Sequence, residues 1–250
     1  MIRQRYTLFA LLAAVVMAAT AVTADPTPAK PSTYAPVKDV VDQVKVFLGR
    51  LETDLEDKDA YEKEVQERVE KDANTVAVLA AVLGVHDEAH EKKSTAKALV
   101  TASQEIAKNA KDFEKAGAAL KKAQAAWEAT DGEGKTSLEE VADLAQLMKQ
   151  VPIVNNSLRN GVTGTRFERQ KEKTAATAAT LAAIAEVSAY DESYIADESD
   201  KPEWMRICFE MRDATAAVAK ATRAGDQETA KKELDRVVKT CDDCHAKFRD

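Results

Sequence analysis

The sequence predicts an all-α protein arranged as two tandem antiparallel four-helix bundles, and three observations support this prediction. After residue 36 the chain is dominated by Ala, Lys, Glu, Leu and Val, with prolines only at Pro152 and Pro202, a composition that favours helix. Apolar residues recur there at alternating spacings of three and four, which lines one face of a packed helix. The pattern occurs four times, stops at the polar, glycine-containing run 131–135, and then occurs four times more.

The first 24 residues have the anatomy of a secretory signal peptide. Arg3 and Arg5 precede an apolar stretch from Leu8 to Val22, and Ala24 supplies a small residue at the expected cleavage point. The stretch is too short for a comfortable membrane span, and no Cys follows it to take a lipid anchor. We therefore expect residues 1–24 to be removed and the protein to be soluble, without a membrane span, in the periplasm or otherwise exported.

Residues 25–36 hold four of the six prolines, so we expect a Pro-rich, extended and solvated lead-in there. The first predicted bundle, residues 37–130, follows. Its four helices are marked by four apolar stripes: Val37, Val41, Val44, Leu48, Leu51 and Leu55; Val65, Val69, Val76, Leu79 and Leu83; Leu99, Ala102, Ile106 and Phe113; Leu120, Ala123 and Trp127.

The second predicted bundle covers residues 136–250. Thr136 or Ser137 is available to cap its first helix, and short connections favour antiparallel neighbours. Its four stripes are Val141, Leu144, Met148 and Val151; Leu181, Ile184 and Val187; Trp204, Cys208, Met211, Thr215, Val218 and Thr222; Leu234, Val237, Cys241, Cys244 and Phe248.

The motif that carries chemistry is Cys241-Asp242-Asp243-Cys244-His245. In this spacing two thiols can add to the two vinyl groups of one haem, and the adjacent imidazole can bind its iron. On a helix the two cysteines lie one turn apart, on the stripe that faces the bundle interior. The sequence therefore predicts one covalently attached haem c.

Three other interpretations of the cysteines are weaker. A structural zinc site needs four ligands, and Cys208 stands alone. A redox-active CxxC pair belongs in a βαβ context, and a disulfide between Cys241 and Cys244 would give His245 no role. Cys208 is expected to be a buried free thiol. His86 and His90 could bind a metal from one helical face, but the charges around them favour a solvated helix end.

The ending CDDCHAKFRD, on the last helix of a predicted four-helix bundle in an exported chain, resembles the cytochrome c prime family. The resemblance covers roughly residues 136–250 and rests mainly on the last ten residues. It implies that Cys241 and Cys244 form the thioether links and that His245 is the proximal iron ligand. Phe248 and Arg249 would then neighbour the haem, although Arg249 is equally well explained as a solvated terminal charge.

In this family the other face of the iron is decided by a residue of the bundle's first helix, which here corresponds to Leu147-Met148. Met148 shares the inward stripe with Leu144 and Val151, so its thioether could ligate the iron, and His/Met coordination favours electron transfer. Alternatively Met148 is a flexible core residue beside an open or gas-binding iron. Leu147 is then the fallback neighbour.

The first bundle lacks the motif. When the two repeats are aligned, Trp127, Thr130 and Asp131 stand at the places of the two cysteines and the histidine. We expect this bundle to bind no haem, with Trp127 filling part of the volume that a haem would occupy. We also expect it to pack on the second bundle as subunits pair in the family's dimers. A homodimer of the whole chain stays open.

The leading functional prediction is a monohaem carrier of single electrons between exported redox partners. The alternatives are a five-coordinate haem protein that binds NO or CO, and a helical interaction module with a structural haem. An enzyme is not expected, because no acid–base pair lies at a recognisable spacing beside His245. The net charge of −7 disfavours nucleic acid as a partner and favours partners with basic patches.

Overall fold

The computed structural model describes residues 27–249, and the predicted signal peptide, residues 1–24, lies outside them. All regular secondary structure in this part of the chain is helical, which confirms the all-α class. No helix within residues 27–249 is long and apolar enough to cross a membrane.

Eight long helices form the body of the described chain. We number them α1 (Val37–Asp54), α2 (Gln66–Val85), α3 (Ala96–Lys108), α4 (Phe113–Glu128), α5 (Leu144–Thr163), α6 (Phe167–Ser188), α7 (Lys201–Arg223) and α8 (Gln227–Phe248). Shorter helical pieces are Pro31–Tyr34, Lys58–Ala60, a π-helical turn at Tyr61–Val65, and two 3₁₀ turns at Glu91–Thr95 and Glu198–Asp200.

Aspartates begin several of these helices. The Asp143 carboxylate accepts a hydrogen bond from the backbone N–H of Gln146, 3.2 Å away, at the start of α5. The expected cap at Thr136 or Ser137 is therefore wrong, and the helix begins later than predicted. Thr136 instead donates a hydrogen bond to the Ala81 carbonyl, 2.8 Å away, which ties the segment between the two sets of helices to α2.

The helices pack against their sequence neighbours within α1–α4 and again within α5–α8. Between the two sets, α1 lies against α6, and α2 lies against both α5 and α6. One continuous cluster of buried apolar side chains runs through both sets. The central helices α2 and α6 are covered on almost every side, since residues 76–83 and 181–184 are all fully buried. Two buried hydrogen bonds join the sets, from Thr180 to Gln43 at 3.0 Å and from Gln150 to Asp72 at 3.3 Å.

Residues 31–35 differ from the extended, solvated lead-in that the prolines predicted. Pro31 starts a single helical turn, and the apolar Tyr34 and Ala35 are buried against α6 and α7. His86 is buried as well, with Nε2 2.9 Å from the Ala35 carbonyl oxygen, so the expected solvated helix end is wrong for this residue. His90 accepts a hydrogen bond from the Lys92 backbone N–H at 3.1 Å.

Candidate functional site

The CxxCH motif lies where α8 leaves the core. Leu234 and Val237 on the same face are buried, whereas Cys241 and Cys244 are half-buried and His245 is exposed. The inward stripe of α8 therefore delivers both thiols to the boundary between the core and solvent. Within the described residues the His245 imidazole makes no hydrogen bond or ion pair.

Two adjoining cavities open beside this motif, bounded by α5, α7 and α8. The outer cavity, of about 420 Å³, is lined by Leu144, Ala145, Met148, Lys149, Pro152, Tyr194, Trp204, Cys244, His245, Phe248 and Arg249. The inner cavity, of about 250 Å³, also reaches α6 and is lined by Met148, Val151, Pro152, Asn155, Ile184, Ala185, Ser188, Trp204, Ile207, Cys208, Met211, Thr240, Cys241, Asp242, Cys244 and His245. Met148 and His245 line both cavities from different helices, α5 and α8.

The structure distinguishes Met148 from Leu147, the two residues predicted to neighbour the iron on the side away from His245. Met148 is half-buried and borders both cavities together with His245. Leu147, its neighbour on α5, is 1% exposed in the main core and lines neither cavity. Only Met148 of this pair is placed at the site.

Aromatic packing holds the end of α8 against α7. Phe248 meets the Trp204 ring edge to face, with centroids 5.1 Å apart, and the Trp204 indole N–H donates to the Ser188 carbonyl at 2.8 Å. Trp204 also belongs to a small buried cluster against which Met148, Cys244 and Phe248 pack. Trp204 was not predicted as a site residue, although its place on the same stripe as Cys208 was the available signal.

Arg249 is exposed and lines the outer cavity, and Lys149 of α5 does the same. Neither forms an ion pair with a carboxylate of the described chain. The mouth of the outer cavity therefore carries two cations that an acidic group could neutralise.

All three cysteines are free thiols. Burial raises the pKa of Cys241 and raises the pKa of Cys244 to about 11. Cys208 is buried, and its pKa is also raised, chiefly by burial. All three groups are therefore neutral thiols near pH 7. Within residues 27–249 no three or more His, Cys, Asp or Glu side chains are grouped so as to hold a metal ion.

Two residues that line the inner cavity each carry a buried polar atom without a hydrogen-bond partner in the described structure. The atoms are Oδ1 of Asn155, on α5, and Oγ of Ser188, at the end of α6. Nothing in the sequence pattern singled out either residue. Both lie on the α5–α6 side of the cavity, whereas the cysteines of the motif lie on α8.

No protein-family model, no curated protein and no solved structure matches this chain.

Proposed function

We propose that this chain is an exported monohaem c-type cytochrome that carries single electrons between redox partners. The observation that supports the proposal most is the placement of Cys241, Cys244 and His245 together on the wall of two adjoining cavities. Cys241 and Cys244 would hold the haem by thioether bonds, and His245 would bind its iron.

The residues present fit a haem c. The outer cavity, of about 420 Å³, lies within the range of about 300–1,000 Å³ that is common for pockets that hold small molecules, and the inner cavity beside it adds about 250 Å³. Their walls are mainly apolar and aromatic, which suits a large flat apolar group. The haem would supply reversible one-electron chemistry at its iron, while the helices would exclude water from most of its surface.

The chain's own residues have separable roles in this proposal. The thiols of Cys241 and Cys244 are free, as the formation of thioether bonds to the two vinyl groups requires. The exposed imidazole of His245 has no competing partner in the described chain. Phe248 braces the last turn of α8 against Trp204. Arg249 would supply a positive charge at the outer cavity, which could pair with an acidic group of the haem.

Met148 is the residue that would supply a second protein ligand to the haem iron. Met148 and His245 line the same two cavities from different helices, and a methionine thioether bound to haem iron would raise the reduction potential. Leu147 lies in the core away from both cavities, so the structure offers no support for it as the alternative neighbour.

A second candidate function is binding of a small ligand, such as NO or CO, at an open iron. It is favoured by the inner cavity, which extends beyond Met148 along α5 to Asn155. A haem with a mainly structural role, in a module that binds another protein, is the third interpretation, and no contact in the described residues favours it.

The proposal includes two tandem four-helix bundles, residues 37–130 and 136–250, of which the second resembles cytochrome c prime. The order in which neighbouring helices pack supports this arrangement. In the first bundle Trp127 is buried in the core, with Lys92 Nζ 5.4 Å from the centre of its ring. The burial supports its suggested role as a filler of the volume at the place that Cys241 takes in the second bundle.

Absorption spectra of the protein, produced in an exporting host with haem-maturation machinery, separate the electron carrier from the ligand binder. The oxidised, reduced and CO-treated reduced forms are recorded for the wild type, Met148→Ala and the control Met205→Ala. Met205 packs in the same cluster but lines neither cavity. A low-spin spectrum that is lost only in Met148→Ala supports the electron carrier. A high-spin ferrous form that binds CO in the wild type would contradict it and favour the second candidate.

A further inference from the structure

Cys208 is a free thiol that the proposed haem attachment does not use. It lies on α7 and lines the inner cavity together with Cys241 and Cys244 of α8. Free thiols that share a cavity are candidates for a disulfide in a chain that we propose is exported, because exported proteins meet oxidising conditions. A disulfide from Cys208 to either cysteine of the motif would remove a thiol that the haem needs.

The structure groups Cys208 with Cys244 rather than with Cys241. Cys208 belongs to the small buried cluster that contains Trp204, and Cys244 packs against this same cluster. Cys241 packs instead against the main core. Burial raises the pKa of Cys208 most, and the Cys244 group raises it further, so the two thiols lie within range of each other's charge. Packing and electrostatics thus agree on the partner of Cys208.

The helix that carries the motif disfavours the competing disulfide between its own two cysteines. α8 is continuous from Gln227 to Phe248, and side chains three positions apart on a helix have Cβ atoms about 5–6 Å from each other. A disulfide needs a Cβ separation of about 3.5–4.5 Å. A bond between Cys241 and Cys244 would therefore distort the last turns of α8, whereas a bond from Cys244 to Cys208 joins two helices that already pack together.

We propose that the haem-free chain forms a disulfide between Cys208 and Cys244 under oxidising conditions, and that this bond blocks haem attachment. The oxidant is a low-molecular-weight disulfide such as oxidised glutathione. Cys244 is half-buried and also lines the outer cavity, so it meets the oxidant before the buried Cys208 does.

The exchange has two steps that balance. The Cys244 thiolate attacks one sulfur of the small disulfide and releases one thiol, and the Cys208 thiolate then displaces the second thiol from the mixed disulfide. Two electrons pass from the cysteines to the small disulfide, and the two cysteine protons leave with the two thiols it yields. A dithiol reductant reverses the exchange and restores both cysteines.

The block on haem attachment rests on the proposed function, whereas the disulfide itself does not. With Cys244 in the disulfide, Cys241 is the one thiol of the motif that can still form a thioether bond. The oxidised chain would then lack one of the two links to the haem, and reduction of the disulfide would make the motif complete again.

Peptide mapping of the oxidised chain tests the disulfide without any haem. The full chain is produced without haem, treated with oxidised glutathione, alkylated and digested with trypsin. Trypsin separates residues 207–212, which contain Cys208, from residues 240–247, which contain both cysteines of the motif. We expect these two peptides to be joined by a disulfide. The joined species should persist in Cys241→Ser and be lost in Cys244→Ser.

Denaturant supplies the control for the fold. In urea the short stretch of chain between Cys241 and Cys244 should favour the disulfide within the motif, because short loops close at a lower entropic cost. A folded wild type whose disulfide lies within residues 240–247 would overturn the inference. So would a folded wild type in which residues 207–212 stay unlinked, and both results would leave the haem proposal standing.

Haem content measures the block on attachment. In an exporting host with haem-maturation machinery, added oxidised glutathione should cause a loss of covalent haem from the wild type and none from Cys208→Ala, which keeps a small apolar side chain. Circular dichroism checks that the variant is folded. An equal response of the two chains would overturn the block. A wild type without covalent haem when no oxidant is added would overturn the proposed function, while the peptide map still decides whether the disulfide forms.

Discussion

Arg212 on α7 and Glu186 on α6 form an ion pair inside the protein. Their side chains are each 2% exposed, and Arg212 Nη1 lies 2.6 Å from Glu186 Oε2. The guanidinium also donates to the Thr27 carbonyl at 3.0 Å and lies over the rings of Phe209 and Tyr34. Removal of the arginine would leave a buried carboxylate without its partner, which is strongly destabilising.

Arg212→Ala is therefore expected to lower the free energy of unfolding by about 3–5 kcal/mol, measured by urea denaturation. The control is Arg206→Ala on the same helix, whose side chain is 37% exposed and pairs with Glu203 and Glu210. It should cost no more than about 1 kcal/mol, since exposed ion pairs are worth little. Equal losses of unfolding free energy in the two variants would show that the buried ion pair stabilises the protein no more than the exposed one.

Asp72 on α2 is a buried carboxylate that links the two sets of helices. Its Oδ1 accepts from Gln150 of α5 at 3.3 Å, and its Oδ2 lies 2.9 Å from Arg50 Nε. Burial raises its pKa to about 7, and the Arg50 charge only partly offsets this. Because the folded-state pKa lies above the ordinary value of 3.8, the neutral form favours folding. This contribution is complete below about pH 4 and is lost as the pH rises towards 7.

Asp72→Asn should therefore stabilise the protein at pH 8, by at least about 1 kcal/mol, and change little at pH 4. Urea denaturation at both pH values measures the difference. Glu67→Gln, at an exposed position of the same helix, is the control and should have a small effect at both. A stabilisation by Asp72→Asn that is the same at pH 4 and pH 8 would contradict the linkage.

At the residue scale the sequence predicted the state of one cysteine correctly and gave no sign of the buried charges. Cys208 was predicted as a buried free thiol, and this is confirmed. Arg212 and Glu186 lie 26 residues apart on different helices, so no spacing on a single helix points to their pairing. Asn155 and Ser188 were not singled out either, because a buried polar atom without a partner is a property of the folded chain and not of a local sequence pattern.

The pairing of α5 with α6 depends on a close approach at one glycine. A Cβ on Gly161 would overlap the Thr174 side chain of α6, and Thr174 is itself buried. The helix gives this glycine no conformational reason to be there, since alanine is the better helix former. Glycine is needed here because the space between α5 and α6 is too small for a side chain.

Gly161→Ala is expected to lower the free energy of unfolding by about 1–3 kcal/mol, because overpacking outweighs the gain in helix propensity. Gly117→Ala on α4 is the matched control, since a Cβ there would meet nothing within 4 Å. It should raise stability by about 0.5–1 kcal/mol. Thermal and urea denaturation of the two variants should thus differ in sign, and stabilisation by both would rule out the proposed close approach.

At the element scale apolar spacing located helices well and their ends less well. The residues of the α1 stripe from Val37 to Leu51 lie in one helix, as predicted. The start of α5 was placed too early because Thr136, Ser137 and Asp143 are all residues that can cap a helix, and composition does not choose among them. The helical turn at Pro31–Tyr34 was not predicted, because a proline is as common in an extended segment as at the start of a helix.

The whole molecule has a core that does not divide between its two sets of helices. Residues of α1, α2, α5 and α6 belong to one buried cluster. Loss of either set would expose the apolar faces of the other. We therefore expect the described chain to unfold as a single cooperative unit, although two bundles were predicted from the sequence.

The two tryptophans allow a direct check, because Trp127 lies on α4 and Trp204 on α7. In Trp127→Phe the remaining fluorescence comes from Trp204, and in Trp204→Phe it comes from Trp127. For each variant, the urea unfolding curve from fluorescence should coincide with the unfolding curve from circular dichroism. A fluorescence midpoint that departs from circular dichroism in either variant would show that the two sets unfold separately.

The sequence indicates only in part that the two sets of helices form one core. Residues 76–83 read VAVLAAVL, and an apolar run without a polar face indicates a helix buried on all sides. That run signalled that α2 has neighbours beyond its own bundle. Which helices cover it depends on contacts between distant segments, such as Gln43 with Thr180, and these have no local pattern. The domain boundaries at residues 37–130 and 136–250 stay a prediction.

The most direct test of the central proposal is the mass of the denatured protein after production with haem-maturation machinery in an exporting host. We predict that the wild type carries one covalent haem, attached to the peptide that contains Cys241 and Cys244 and retained in denaturant. The double variant Cys241→Ser, Cys244→Ser should carry none, whereas Cys208→Ser should keep it. A wild-type chain without covalent haem, or a haem retained in the double variant, would contradict the account.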